Sequence, residues 1–362
     1  MPLLKLVLIV FFCATICEGF YPKKFSFPNV LPPGVPVPPF FNTSAGPWDC
    51  FKNLTDAHRG VRMNDMPTLK QYFQNFGYLS APNLTDNFDD NVETAVKTYQ
   101  RNFGLNVTGK LDEETVAQLM TPRCGREDVI NGTSVMWKKN GTNGFLHAVK
   151  HYTFFPGNPR WSVLKRSLTY AFDPDNEVSE ITMADMKTVI GRSFQRWADV
   201  IPITFTETDD FSNADIKIGY FNKDHGDGEP FDGPLGVLAH SFSPEDGRFH
   251  LDAAESWTID LSSDSSSTAI DLESIATHEI GHLLGLGHTS VQGAIMYPSI
   301  APRVRRVDLT EDDVAGVQYL YGSNPNYNGS AVATTQQDTS SASSVISSAS
   351  PFLLLLLSFL LL

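Results

Sequence analysis

The chain has 362 residues, and 27 Lys plus Arg against 41 Asp plus Glu give a formal charge of −14. A net-acidic chain without a Lys/Arg-rich run lacks the electrostatic footprint of a nucleic-acid binder, and no stretch reaches the roughly 20 apolar residues of a membrane-spanning helix. A hydrophobic fraction of 41%, with 11% aromatic and 19% charged residues, supplies a core rather than a disordered chain, and the length suits two or three domains.

In chain order, residues 1–19 read as a secretory signal, with Lys5, then the apolar run Leu6 to Phe12, then small and polar residues. A buried core helix is the plainer reading of that run. Residues 20–60, proline-dense from Pro22 to Pro39, read as an extended linker. Helical spacing over Met66 to Phe76, Asn91 to Phe103 and Asp112 to Met120 predicts a small all-α domain at 61–121. Residues 122–150 then lead into α/β texture at 151–322. There we expect strands over Leu168 to Phe172, Ile203 to Thr206, Ala214 to Tyr220 and Gly236 to Phe242. Helices are expected over Met183 to Asp199, over Asp271 to Leu284, and over Thr310 to Tyr321, the last with a Thr cap and three acidic residues in its first turn.

A Ser/Thr-rich stalk at 323–341 precedes residues 342–362, where small residues and the apolar tail Phe352 to Leu362 match a glycolipid-anchor signal. Attachment is expected near Ser340 or Ser341, and an uncleaved apolar C-terminus is the alternative. Glycosylation acceptors stand at Asn42, Asn53, Asn83, Asn106, Asn131, Asn140 and Asn328, with none between 151 and 322. Those marks point to a protein exported to the cell surface and anchored to the outer face of the plasma membrane.

The chemistry concentrates in His278-Glu279-Ile280-Gly281-His282-Leu283-Leu284-Gly285-Leu286-Gly287-His288. Histidines at i and i+4 project from one helical face and can share one Zn²⁺, with Glu279 placed to polarise its water. Gly285 can turn the chain so that His288 returns as a third ligand, leaving one position open for water as catalytic zinc requires. Ordinary surface or core histidines are the competing reading.

A second cluster lies in an acidic stretch from Glu207 to Glu255, which composition alone reads as a solvated loop. Its spacing argues otherwise: His225, Asp227, His240 and His250 offer three imidazoles and a carboxylate, a closed tetrahedral zinc set. Cys13 and Cys17 fall in the signal, leaving Cys50 and Cys124. These two could pair as a disulfide. Alternatively, a Cys124 thiolate could fill the fourth zinc position and exclude water.

Together these motifs resemble the matrix metalloproteinases, or matrixins, of the metzincin clan. The resemblance covers about residues 60 to 322 and rests on the extended histidine motif with Ser290, on Met296-Tyr297-Pro298, and on Pro122-Arg123-Cys124-Gly125. It implies an α+β catalytic domain, a mixed twisted sheet with three helices, behind a peptidoglycan-binding-like prodomain. Its lack of a hemopexin-like domain resembles the minimal plant matrixins. It further implies that Met296 forms a turn beneath the zinc, that Asp313 anchors that turn, and that Asp312 pairs with the new N-terminus after processing. Cys124 would be the inhibitory cysteine switch, with Arg123 and Asp128 as the ion pair shaping its loop. Here Arg126-Glu127 replaces the usual Val-Pro or Asn-Pro.

By the same resemblance, Asp232, Asp252 and Glu255 with carbonyls of Gly233, Leu235 and Val237 would hold at least one Ca²⁺ by oxygen atoms alone. Ala253 stands where a further acidic ligand often lies. Leu238 and Ala239 would pair with an extended substrate. Maturation is expected near Lys150 to Tyr152, just before Phe155-Pro156-Gly157, and no Arg-x-Lys-Arg convertase site precedes it.

The function expected is a monomeric, latent zinc endopeptidase acting on extracellular proteins or peptides, with Glu279 as general base. The rival from another class is an anchored wall- or glycan-binding protein with an inactive metal-stabilised domain. Ser274, one turn before His278 and near where the matrixins line their S1′ pocket, is small, and by that resemblance a deep pocket for Leu-like side chains is expected.

Overall fold

The structure, a computed structural model, describes residues 46–80, 83–136, 151–175, 178 and 180–329. The secretory segment 1–19, the stretch Pro22 to Pro39, Asn42, Asn140, Lys150, Ser340, Ser341 and the apolar tail lie outside the described residues. Among the described residues no helix is long and apolar enough to cross a membrane.

The N-terminal unit contains a 3-10 helix Asp49–Leu54 and helices α1 Met66–Asn75, α2 Asp90–Asn102 and α3 Glu113–Leu119. Local chemistry sets the boundaries. Pro67 opens α1, where a missing N–H costs nothing, and the Asp89 and Asp112 carboxylates accept the first backbone N–H groups of α2 and α3. The shared core is aromatic, with Phe73, Tyr99 and Phe103 at 0% exposure.

The linker expected over 20–60 ends earlier than the sequence reading put it, because Trp48, Phe51, Leu54 and Ala57 are buried in this core. Proline density stops at Pro47, and the apolar residues behind it cover α1. Nor is the unit purely helical: Arg62 and Asn87 form a bridge, and a hairpin of β2 Val129–Ile130 with β3 Thr133–Ser134 follows it.

The C-terminal unit is built on a six-stranded mixed sheet. Its strands are β1 Arg123–Cys124, β4 Ser167–Phe172, β5 Thr204–Glu207, β6 Ile216–Phe221, β7 Val237–Ser241 and β8 Arg248–Asp252, in the order β1-β7-β8-β6-β4-β5. Neighbours are parallel except β7 and β8. A short parallel pair, β9 Trp257–Thr258 and β10 Ile270–Asp271, precedes α5.

Helices α4 Met183–Val200, α5 Leu272–Leu283 and α6 Glu311–Tyr321 complete the unit. All twelve residues of α5 are buried, and the Trp197 indole N–H of α4 donates to the Thr277 carbonyl at 2.9 Å. A helix enclosed on every side is a stiff mount for what it carries.

The two units meet at the cleft. Strand β1, which directly follows the helical unit, lies parallel to β7, with Cys124 opposite Ala239. Tyr297 from the other cleft wall inserts into the aromatic core of the helical unit, 5.8 Å edge-on from Phe103.

Candidate metal centres and cleft

Helix α5 presents His278 and His282 one turn apart. The chain then turns at Gly285, whose φ of +99° suits glycine, and an added Cβ there would lie 2.1 Å from the Pro159 carbonyl oxygen. His288 thereby returns toward the helix. The three Nε2 atoms converge, with His278 to His282 at 3.1 Å and His282 to His288 at 3.2 Å, and the Cys124 sulfur closes the group 3.3 Å from His282 Nε2. Zn–N bonds of about 2.0 Å in a tetrahedron place ligand atoms about 3.3 Å apart, so this donor set fits one Zn²⁺.

Each ring is fixed by its other nitrogen. His278 Nδ1 meets the Ile295 carbonyl at 2.7 Å, His282 Nδ1 the Leu286 carbonyl at 2.8 Å, and His288 Nδ1 the Asp128 carboxylate at 2.8 Å. Burial lowers the pKa of all three imidazoles, favouring the neutral form that binds metal.

Glu279 is completely buried. Neither carboxylate oxygen makes a well-formed hydrogen bond among the described residues, although Cys124 and Ser241 face it. Burial pushes its pKa up to about 7. Burial beside Glu279 also raises the Cys124 thiol, a penalty that a cation at the histidines would reverse.

Beneath the histidines, Met296 sits in a turn whose Ile295 and Met296 N–H groups donate to Asp313 at 2.9 and 3.0 Å. Asp313 also closes the capping box of α6 with Thr310. Its neighbour Asp312 accepts the His151 and Tyr152 N–H groups at 2.8 and 2.9 Å. That contact exists with residues 46–136 still in place.

The second cluster gathers around Asp227, whose Oδ2 lies 2.8 Å from His225 Nε2, 2.8 Å from His240 Nε2 and 2.9 Å from His250 Nδ1. It forms a compact four-donor group suited to a closed zinc site. Phe221 and Phe231 both stack near-parallel to the His225 ring, each with its centroid 5.0 Å away. Burial depresses His240 to about 3 and His250 to about 4, so both are neutral near pH 7.

The adjoining loop holds Asp232, Gly233 and Leu235 and leads through Val237 into β7. Its backbone N–H groups turn onto three carboxylates: Val237 onto Asp232 at 2.8 Å, Gly233 onto Asp252 at 3.3 Å and Leu235 onto Glu255 at 2.7 Å. Burial raises Asp232 to about 6 and Glu255 to about 8, and mutual repulsion adds to it. Glu255 Oε2 finds no hydrogen-bond partner among the described residues. Crowded, under-satisfied carboxylates of this kind are what a hard cation relieves.

The cleft is filled by the chain itself. Arg123 N–H donates to the Gly236 carbonyl at 3.0 Å, Cys124 N–H to Pro298 at 2.9 Å and Gly125 N–H to Ala239 at 2.8 Å, so the edge strand bearing Leu238 and Ala239 is already paired. Arg123 and Asp128 form a fully buried bidentate ion pair, both bonds 2.8 Å. No disulfide joins Cys50 to Cys124, which lies against the histidines instead. Leu238, Ser274, Ile275, Tyr297, Pro298, Ile300 and Arg306 line a small pocket beside Cys124 and Glu279.

Sequence reasoning missed Arg306. Its Nη2 donates to the carbonyls of Tyr297 and Ser299 at 3.1 and 3.0 Å, so the pocket floor is not purely apolar. Of the glycosylation acceptors, Asn53, Asn83, Asn106, Asn131 and Asn328 are exposed.

Residues 160–322 match the matrixin family model, and residues 62–119 match a peptidoglycan-binding domain model. The chain is 52% identical over 318 residues to Metalloendoproteinase 2-MMP of Arabidopsis thaliana, covering 84% of this chain and 82% of that one. It is 47% identical over 275 residues to Metalloendoproteinase 1 of Glycine max, covering 75% and 87%. Similarity extends to neutrophil collagenase of Homo sapiens, 36% identical over 266 residues and covering 72% and 50%.

Proposed function

The chain belongs to the matrixin family of zinc metalloendopeptidases, and from that premise we propose that it is made as a latent precursor held closed by Cys124 and cleaves peptide bonds of extracellular proteins with Glu279 as general base. The observation that carries this reading is the placement of the Cys124 sulfur 3.3 Å from His282 Nε2 in a cleft otherwise shaped for an extended chain.

His278, His282 and His288 would hold the catalytic zinc. When bound, the ion supplies an acidified water and an electrophile for the peptide carbonyl. The chain's own work is positional and protonic. Strand β7 and the residue before it, once β1 leaves, offer the Ala239 and Gly236 carbonyls to an extended substrate. Glu279 takes a proton from the attacking water and returns it to the leaving amine nitrogen, a role suited to a carboxylate raised to about 7. Cys124 keeps water out until residues before about 151 are removed.

His225, Asp227, His240 and His250 would hold a structural zinc, and Asp232, Asp252 and Glu255 would hold calcium with carbonyls of Gly233, Leu235 and Val237. Secretion through segment 1–19 and a lipid anchor near Ser340 or Ser341 would place a glycosylated, monomeric enzyme on the outer face of the plasma membrane.

The test is the Cys124→Ser precursor, expected to hydrolyse a peptide substrate without processing. Glu279→Gln in that background should remove the activity. Unchanged latency of Cys124→Ser would refute the latch, and retained hydrolysis by the double variant would refute the role of Glu279.

A further inference from the structure

The three histidines of the catalytic cluster are fixed by unlike partners. His278 and His282 use backbone carbonyls of their own unit, Ile295 and Leu286. His288 uses the side chain of Asp128, 160 residues earlier, and both side chains are 0% exposed. Asp128 is itself held from several directions. Arg123 grips both its oxygens, the Tyr78 hydroxyl donates to Oδ2 at 2.8 Å, and its backbone N–H donates to the Phe76 carbonyl at 3.1 Å. Burial opposes its charge, but Arg123 and His288 hold its pKa down to about 2.

From this geometry we infer that Asp128 is a positioning residue for His288, the outer carboxylate of a carboxylate–histidine–metal triad, so that the latch segment strengthens metal binding twice, through the Cys124 sulfur and through the third histidine. The inference rests on the reading of the three histidines as a zinc centre and of Cys124 as its latch. A carboxylate accepting from Nδ1–H fixes the tautomer that turns the Nε2 lone pair inward, and it raises ring basicity more than a neutral carbonyl does. When the segment departs, His288 loses that partner together with the thiol. The coupling runs both ways: the latch tightens the metal, and the metal tightens the latch by the same factor.

The experiment uses the full-length chain loaded with Zn²⁺ and titrated with a competing chelator. The step that disappears in His282→Ala belongs to the three-histidine centre, while the other step, from the His225 cluster, reports folding. In a Cys124→Ser background, adding Asp128→Asn should weaken the three-histidine step by a further 10- to 100-fold. A change below about twofold would overturn the inference, because Asp128 would then act only by shaping the Cys124 loop.

If Asp128→Asn loses both steps through misfolding, the comparison passes to the Cys124→Ser precursor before and after proteolytic removal of residues preceding 151. The same weakening is expected there, and its absence overturns the inference. The His288 Nδ1–H proton resonance gives a second readout, expected far downfield in the metal-loaded precursor and shifted upfield in Asp128→Asn. If His282→Ala removes no step, the zinc-centre reading itself fails, an outcome distinct from an intact step that ignores Asp128.

Discussion

Arg126 Nη1 contacts both carboxylate oxygens of Glu229, at 2.7 and 2.8 Å, and so ties the segment carrying Cys124 to the loop carrying Asp227. The Arg126 guanidinium also lies 5.1 Å from the Phe242 ring and 5.7 Å from Phe155. Arg126 is therefore engaged with three separate parts of the cleft. A partly exposed, charge-assisted pair of this kind contributes about 1 kcal/mol, and salt screens it. Arg126→Ala should raise spontaneous hydrolysis by the unprocessed precursor about fivefold, and Arg126→Glu with Glu229→Arg should restore latency. Equal latency in wild type and Arg126→Ala at low salt would show that the pair holds nothing.

The loop that gathers Asp232, Asp252 and Glu255 predicts an unusual pH dependence. Asp232 and Glu255 are raised to about 6 and about 8 in the cation-free fold. Groups whose folded pKa lies above the unfolded value contribute stability that is present below about pH 4 and is lost as pH rises through the folded pKa. With the histidine clusters kept zinc-loaded, so that their depressed imidazoles do not oppose the trend, the calcium-free protein should therefore lose stability as pH rises from about 4 to 8. Added Ca²⁺ should restore it, most strongly at the alkaline end. Thermal unfolding with EGTA and with Ca²⁺ across that range decides the matter, and a Ca²⁺ effect independent of pH would remove these carboxylates from the site.

Much of this site was legible because its chemistry is written in local spacing. His278, Glu279 and His282 need only a helix, and Gly285 only a turn, so the cluster follows from consecutive residues. What the sequence hid is set by distance along the chain. Asp128 and His288 are 160 residues apart, Arg126 and Glu229 103 apart, and no local pattern marks either pair. Strand β8 is not legible around His250, because the acidic stretch that contains it reads by composition as a solvated loop. The 3-10 helix at Asp49–Leu54 reads as linker because the prolines before it dominate the local composition.

A second hidden feature is Glu273, fully buried on the first turn of α5 and held by Arg192 at 2.6 Å, Arg196 at 2.6 Å and Arg305 at 2.8 Å. It fastens α4 and the loop before α6 to the metal-bearing helix. Burial opposes its charge, but the three guanidinium groups hold its pKa down to about 2. The depressed value means this stabilisation is present above about pH 4.5 and lost as pH falls toward 2. Glu273→Ala leaves three partly exposed arginines without their shared carboxylate and should cost about 1–3 kcal/mol, the range for removing one partner of charge-assisted hydrogen bonds. Chemical denaturation at pH 7 and pH 3 checks both parts: the variant's deficit should shrink at the lower pH.

Asp312 supplies a prediction about the processed enzyme. Its Oδ1 takes the His151 and Tyr152 N–H groups while Oδ2 accepts from the Thr289 hydroxyl at 2.9 Å, directly beside His288. The start of the α/β unit is thus pinned against the loop bearing His288 with residues 46–136 still in place. A new ammonium at or near residue 151 would add charge to an acceptor already in place. Asp312→Asn should lower kcat/KM of the processed form about 3- to 10-fold, equivalent to roughly 1 kcal/mol, while changing the Cys124→Ser precursor less. Equal losses in both forms would assign Asp312 a purely structural role.

Gly281 lies against the Met296 side chain. A Cβ added at Gly281 would lie 2.2 Å from the Met296 sulfur and 3.1 Å from Trp197. Glycine therefore stands in the middle of a helix, where it costs up to about 1 kcal/mol against alanine, because the turn beneath the histidines packs directly on its backbone. The usual gain from Gly→Ala in a helix should reverse here. Gly281→Ala must push aside the Met296 thioether, in the turn where the Ile295 carbonyl orients His278. We expect a loss of about 1–3 kcal/mol from overpacking together with weaker zinc retention. The companion Gly281→Ala/Met296→Ala should recover part of both, since the shorter side chain vacates the space. If Gly281→Ala alone unfolds at higher temperature than wild type, the turn is free to move, and the packing of Met296 does not hold His278 in place.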